Sequence, residues 1–128
     1  MENILVVDDN EDMCQIISDV LRAEGYMVGI ACDGESALNE LKGKTYDLMV
    51  LDYKLFDMNG LEVLEKLRGM PPLLETIMIS AYGSESVKAR ARELEVYDFI
   101  DKPFDVNALL KVVKKALCKR QADNCNGG

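Results

Sequence analysis

The chain has 128 residues and a formal net charge of −8, from 23 acidic and 15 basic side chains. This length fits one domain, which can bury roughly 65–70% of its unfolded surface, and a hydrophobic content of 48% excludes a disordered chain. The acidic excess argues against direct nucleic-acid binding, and no run approaches the roughly 18 apolar residues that a membrane span needs. We therefore expect a soluble, cytoplasmic protein.

Histidine is absent, and the four cysteines are widely spaced. Without histidine, the commonest general base is missing, and histidine-based catalytic triads and zinc sites are excluded. No two cysteines stand at C-x-x-C spacing, so we interpret them as reduced thiols rather than as a disulfide framework or a zinc site.

Strands and helices are predicted to alternate along the chain. Apolar runs indicate strands, and capping residues before amphipathic runs indicate helices. In chain order, the predicted elements are strand 3–8, helix 11–24 after Asn10, strand 27–31, a helix after Asp33, strand 47–52, helix 60–68, strand 76–80, a helix after Ser84, strand 97–100 and a helix from Asp105 to about 118. Residues 1–120 are predicted to form one domain, and residues 121–128 a disordered tail.

This alternation predicts an α/β fold. Strands separated by helices imply right-handed βαβ crossovers and a parallel sheet. Five strands fit a doubly wound sheet of order 2-1-3-4-5, flavodoxin-like, with helices on both faces. The strand order then reverses between the first and third strands, where such sheets bind ligands at the carboxyl ends of the strands.

Carboxylates follow both of these strands. Asp8 and Asp9 come after the apolar residues 4–7, and Asp52 comes after the apolar residues 48–51. One aspartate at a strand end is often only a solvated loop cap, but three at neighbouring strand ends indicate a shared ligand. Oxygen ligands suit a hard cation, and Mg²⁺ is the natural choice.

Other ligands of doubly wound sheets fit this sequence poorly. The loop at residues 8–12 carries four acids, which would repel the phosphate of FMN. Neither G-x-x-x-x-G-K-[ST] nor G-x-G-x-x-G occurs, which excludes nucleotide binding of those kinds.

A hydroxyl and a lysine complete the predicted site. Ser80 ends the fourth predicted strand, and Lys102 follows the fifth. A metal ion, a hydroxyl and an ammonium around Asp52 can hold a phosphoryl group, with the carboxylate acting as nucleophile and becoming an acyl phosphate. Mg²⁺ and Lys102 would neutralise the charge on the phosphoryl oxygens.

Taken together, these residues resemble the response-regulator receiver domains of two-component signalling. The match covers about residues 3–118 and includes Asp8-Asp9, Asp52, Gly60, Ser80-Ala81 and Lys102-Pro103-Phe104. The resemblance implies that Asp52 accepts a phosphoryl group from a histidine kinase or a phosphotransfer protein, and that the domain then changes conformation to control an output. Such a domain is not a conventional enzyme, although it has intrinsic phosphotransfer and autodephosphorylation activity.

The resemblance also implies a metal-ligand set. Asp9 and Asp52 would bind Mg²⁺ directly, Asp8 would help through water, and the backbone carbonyl of Lys54 would complete the protein ligands.

Further roles follow from the same resemblance. Ser80 would hydrogen-bond the phosphoryl group, Lys102 would pair with it, and the peptide bond between Lys102 and Pro103 is usually cis in the family. Ser80 and Phe99 occupy the switch positions, although an aromatic residue at 99 is also compatible with a simple core role. Phe56 departs from the family pattern, which usually has proline there.

Two alternative functions fit the sequence less well. A phosphatase of the haloacid-dehalogenase type uses an aspartate nucleophile but needs a second aspartate two residues later, where this chain has Lys54. A receiver fold that binds proteins without phosphorylation usually lacks part of the acidic pair or the lysine, and this sequence retains both.

Lys54 and Tyr82 form a predicted hydrolysis gate. By the resemblance, both side chains border the path along which water would reach the acyl phosphate, and the ammonium of Lys54 can pair with a phosphoryl oxygen. We therefore expect slow self-dephosphorylation. The alternative is that both side chains point into solvent and affect nothing.

Three expectations concern partners. A phosphodonor protein should dock beside the first helix, where Ile16 is the apolar residue of an otherwise polar face. The fourth helix, fifth strand and basic fifth helix form a candidate homodimer face. The chain is either a single-domain regulator or the receiver of a longer transcription regulator, and residues 80–84 favour the second reading.

Overall fold

The computed structural model describes residues 2–68, 74–81 and 83–126, and within these ranges five strands alternate with five helices. The strands are β1 (Asn3–Val7), β2 (Met27–Ala31), β3 (Leu48–Asp52), β4 (Glu75–Ser80) and β5 (Asp98–Asp101). The helices are α1 (Glu11–Ala23), α2 (Gly34–Gly43), α3 (Gly60–Leu67), α4 (Glu85–Glu93) and α5 (Val106–Asn126). Each predicted element is present.

The sheet is parallel throughout, with the order β2-β1-β3-β4-β5. The predicted doubly wound order is therefore confirmed. β1 lies between β2 and β3, so the reversal of strand order falls between β1 and β3, and their carboxyl ends face the same edge.

Side chains of the central strands alternate between two apolar cores, because successive strand residues point to opposite faces. The core on one face includes Ile4, Val50 and Ile77 together with residues of α1 and α5. The core on the other face includes Leu5, Met49 and Met78 together with residues of α2, α3 and α4. Burial on both faces explains why these strands are continuous apolar runs in the sequence.

Capping side chains set the start of four helices. The first turn of each donates a backbone N–H to a side chain directly before the helix, which satisfies a group that has no partner within the helix. These caps are Asn10 of α1, Asp33 of α2, Asn59 of α3 and Ser84 of α4. The caps predicted at Asn10, Asp33 and Ser84 are confirmed.

The last helix is longer than predicted. α5 continues to Asn126, whereas the sequence predicted an end near residue 118 and disorder over 121–128. Residues 106–126 contain neither glycine nor proline, and most of them are good helix formers, so nothing in the sequence stops the helix before Gly127. The helix end predicted near residue 118 is therefore wrong, and residues 127 and 128 lie outside the described part. Among the described residues, no helix has both the length and the apolar composition needed to cross a membrane.

Candidate functional site

Three carboxylates meet at the carboxyl edge of the sheet. Val7 pairs with Leu51 across β1 and β3, which brings the residues that follow them, Asp8 and Asp52, side by side. One carboxylate oxygen from each of Asp8, Asp9 and Asp52 lies within 4.8 Å of the other two. Asp8 and Asp52 are buried, with 2% and 6% of their surface exposed, whereas Asp9 is exposed. The predicted convergence of these three side chains is thus present.

Lys102 joins the two buried carboxylates. Its Nζ atom lies 3.3 Å from Oδ2 of Asp52 and 3.4 Å from Oδ2 of Asp8. Its backbone N–H donates to the carbonyl oxygen of Ser80 at 2.8 Å, which fixes the chain just after β5 against the end of β4. The Lys102–Pro103 peptide bond is cis, as the resemblance implied.

Burial and charge shift the titration of this cluster. The pKa of Asp52 is raised to about 6, because burial and the charge of Asp8 raise it more than the ammonium of Lys102 lowers it. Burial alone would lower the pKa of Lys102, but the charges of Asp52 and Asp8 outweigh it and raise that pKa. At neutral pH the site therefore holds a carboxylate whose charge is poorly solvated and is balanced chiefly by one lysine.

We expect Asp52→Asn to stabilise the metal-free protein at neutral pH. The pKa of Asp52 rises from 3.8 to about 6 on folding, so its ionised form destabilises the folded state above pH 6, and this cost disappears as the pH falls toward 4. The variant should exceed the wild type by on the order of 2 kcal/mol at pH 7 and by little at pH 4, measured by urea denaturation in a chelator. The exposed Asp12→Asn serves as the charge control, and a pH-independent difference for Asp52→Asn would contradict the assignment.

The loop after β3 is a short hairpin that carries Lys54. Gly60 donates its N–H to the carbonyl of Tyr53 at 2.6 Å, and Leu55 donates to the carbonyl of Met58 at 3.2 Å. Lys54 is paired with Asn59 between these two hydrogen bonds. A Cβ atom on Gly60 would lie 2.9 Å from the carbonyl oxygen of Asp52, so only glycine lets α3 start this close to β3.

These elements enclose an open cleft of about 280 Å³, lined by Asp8, Asp9, Asn10, Asp52, Lys54, Ala81 and Lys102. Five of these residues were predicted as site residues from the sequence. Asn10 was predicted only as a helix cap, and Ala81 only as part of a matching motif. The sequence feature that could have identified Asn10 and Ala81 as lining residues is that each directly follows a predicted site residue at the end of a strand.

The two predicted switch residues, Ser80 and Phe99, are not among the residues that line the cleft. Ser80 is buried at the end of β4, one residue before Ala81. Phe99 is half-buried on the side of the sheet that faces α4, and Nζ of Lys88 lies 5.6 Å from the centre of its ring. Lys88 also pairs with Asp101 at 3.2 Å. Tyr82, which was predicted with Lys54 to form the hydrolysis gate, lies outside the described residues.

The predicted partner surfaces on α1 and α5 differ in how far their side chains are exposed or engaged within the domain. Ile16 on α1 is 48% exposed, as expected for a residue on an outward face. On α5, Lys114 pairs with Glu24 at 3.3 Å, and Nζ of Lys119 lies 5.7 Å from the centre of the Tyr97 ring. Part of the basic face is therefore engaged within the domain.

Comparison with known proteins gives a consistent result. A family model described as the response regulator receiver domain matches residues 4–114. The chain is 31% identical over 115 residues to the transcriptional regulatory protein ZraR of Salmonella typhimurium, a match that covers 90% of this chain and 26% of ZraR. The chain thus spans about a quarter of the length of this curated relative.

Solved structures agree over nearly the whole chain. A CheY-like response regulator receiver domain protein from Methanospirillum hungatei has a TM-score of 0.92 and 29% identity, over 96% of this chain and 98% of that one. The response regulator protein TrrA from Thermotoga maritima, in complex with Mg²⁺ and BeF, has a TM-score of 0.80 and 30% identity, over 91% of this chain and 99% of that one.

Proposed function

We propose that this chain, which belongs to the response regulator receiver domain family, accepts a phosphoryl group on Asp52 and passes that event on as a conformational change. The observation that carries the proposal is the buried Asp52 carboxylate at the cleft, 3.3 Å from the ammonium of Lys102 and beside two further carboxylates. The family match supports the same role.

In the proposed reaction, a carboxylate oxygen of Asp52 attacks the phosphorus atom of the donor. A new bond forms between that oxygen and phosphorus, and the bond from phosphorus to the donor, a phosphohistidine nitrogen or the acyl oxygen of acetyl phosphate, breaks. The ammonium of Lys102 can then move from the carboxylate to a phosphoryl oxygen, because it already lies within hydrogen-bonding reach of Asp52. Ser80, at the neighbouring strand end, is proposed to hydrogen-bond the phosphoryl group.

The donor set fits a magnesium ion. Asp8, Asp9 and Asp52 offer clustered carboxylate oxygens, with Asp8 proposed to act through water. Lys54, whose backbone carbonyl is proposed to complete the protein ligands, lines the same cleft. Hard oxygen ligands of this kind suit Mg²⁺, which keeps several waters and binds through few carboxylates. When bound, the ion would offset the negative charge on the phosphoryl oxygens.

Partners and output are also proposals. We propose a histidine kinase or phosphotransfer protein as phosphodonor, docking beside α1 around Ile16, in the cytoplasm. Phosphorylation would shift Ser80 and Phe99 and so change the face formed by α4, β5 and α5, which we propose as a homodimer surface. Control of transcription is the favoured output, since ZraR is named as a transcriptional regulator.

The test of the proposed function is chemical modification by acetyl phosphate with Mg²⁺, which should add one phosphoryl group, on Asp52.

Lys54→Ala should speed the loss of phosphate from Asp52 severalfold if Lys54 limits access of water. Lys54 is exposed and lines the cleft, so its side chain can lie across the approach to Asp52. The half-life of the acyl phosphate is to be measured in the wild type, Lys54→Ala and the Lys54→Ala/Tyr82→Ala double variant, with the exposed Lys42→Ala in α2 as control. Unchanged or slower hydrolysis in both cleft variants would discard the gate.

A further inference from the structure

We propose that Asp57 is a positioning residue for the metal site: it ties the hairpin after β3 to the start of α2 and thereby holds Lys54 where its carbonyl can ligate Mg²⁺. The inference rests on the proposed function and extends it to a residue outside the cleft.

The hairpin connects Asp57 mechanically to Lys54. Its two sides are joined by the hydrogen bonds from Gly60 to Tyr53 and from Leu55 to Met58, and Lys54 lies between them. Asp57 stands at the tip, between Leu55 and Met58. A displacement of the tip therefore rotates the segment that carries the Lys54 carbonyl.

Both oxygens of the Asp57 carboxylate bind the first turn of α2. Oδ1 accepts the backbone N–H of Gly34 at 2.7 Å, and Oδ2 accepts that of Glu35 at 3.0 Å. The hydrogen bond from Gly34 is the main cause that lowers the pKa of Asp57 below its usual value. A carboxylate that accepts two N–H groups of a helix start is held in place by hydrogen bonds and by the helix dipole.

Packing between the same two segments reinforces this contact. Gly34 is buried, and a Cβ atom there would collide with Cγ and Sδ of Met58. The backbone of α2 and the Met58 side chain are thus in close contact. We call the two hydrogen bonds of Asp57, together with the contact between Met58 and Gly34, the Asp57 clamp.

The rest of the hairpin tip offers little to replace this clamp. Leu55 is buried and anchors the first side of the hairpin, residues 53–55, in the core. Phe56, the next residue, is 90% exposed and so contributes almost no burial. Within the tip, the described contacts to α2 therefore come from Asp57 and Met58.

The experiment measures Mg²⁺ affinity by isothermal titration calorimetry in the wild type, Asp57→Ala, Asp57→Asn and Asp33→Ala. Asp33 is a matched control, because its Oδ1 also accepts a backbone N–H of the first turn of α2, that of Ser36 at 2.7 Å, and it carries the same charge. Asp57→Ala should raise the dissociation constant for Mg²⁺ about tenfold, the lower end of effects seen for groups that orient metal ligands. Asp57→Asn, which keeps one oxygen acceptor, should fall between Asp57→Ala and the wild type, and Asp33→Ala should match the wild type.

Amide hydrogen exchange of the metal-free proteins supplies a second readout. Exchange at Leu55 and Gly60 should be faster in Asp57→Ala than in Asp33→Ala, because only the first releases the hairpin. Equal Mg²⁺ affinity in Asp57→Ala and the wild type would overturn the inference alone. An equal loss in Asp57→Ala and Asp33→Ala would also overturn it, since helix capping or charge would then be the cause. A wild type that binds no Mg²⁺ would overturn the proposed metal site and the inference together.

Discussion

Asp52→Asn should abolish phosphorylation of this protein by acetyl phosphate. The wild type, incubated with acetyl phosphate and Mg²⁺, should gain the mass of one phosphoryl group, and hydroxylamine should remove it, as expected for an acyl phosphate. An amide in place of the carboxylate keeps the shape of the site but has no nucleophilic oxygen anion. The loss should be complete, because the other carboxylates differ from Asp52 in surroundings: Asp8 is tied to the backbone of Asn10, and Asp9 is exposed.

Two comparisons make the result decisive. Asp12→Asn removes an exposed aspartate of the first turn of α1 and should be modified like the wild type. Denaturation curves of all three proteins should show that each is folded under the assay conditions. Modification of Asp52→Asn at the normal rate would identify another acceptor and refute the assignment of Asp52.

The fold was predictable because its signals are local and repeat along the chain. Residues 48–51 form an apolar run that is typical of a strand buried on both faces, and Gly60 and the capping residues mark where helices start. Once the elements alternate, the right-handed crossover rule leaves few strand orders. The end of α5 could not be predicted from composition, because residues 119–126 are mostly polar but contain no glycine or proline that would end the helix.

The site was predictable to the extent that topology alone places its members. Asp8, Asp52 and Lys102 each follow a strand, and parallel strands bring their carboxyl ends to one edge. The role of Asp57 could not be predicted in this way, because its hydrogen bonds join it to residues 22 and 23 positions away. In the sequence, Asp57 is indistinguishable from a solvated loop acid, and only the tertiary contact between the loop and α2 reveals it.

The negative charges of Asp8, Asp9 and Asp52 are only partly neutralised within the protein. Lys102 neutralises only part of the charge of Asp8 and Asp52, and Asp9 adds a third negative group within 4.8 Å. Like charges held this close destabilise the folded state until a cation relieves the repulsion. The stability of the protein should therefore respond to Mg²⁺ itself, in the absence of any phosphodonor.

Mg²⁺ should raise the melting temperature of the wild type, and Asp9→Ala should remove most of that rise. A ligand at about one hundred times its dissociation constant stabilises the folded state by about 2.7 kcal/mol, which for a domain of this size is about 10 °C. If Asp9→Ala weakens binding about a hundredfold, the same Mg²⁺ concentration gives only about 0.4 kcal/mol. Asp9 is the cleanest ligand to remove, because it is exposed and its loss leaves the pairs of Lys102 with Asp8 and Asp52 intact.

The measurement is a thermal unfolding series at increasing Mg²⁺, with each protein referred to its own value in chelator. That reference separates metal binding from the gain that Asp9→Ala should show without metal, where one of three clustered negative charges is gone. Asp12→Ala removes a nearby exposed acid and should keep the full response to Mg²⁺. An equal Mg²⁺ effect in Asp9→Ala and the wild type would show that the ion binds elsewhere. Because no phosphodonor is present, this outcome depends on the carboxylate cluster alone and not on whether Asp52 is the phosphoacceptor.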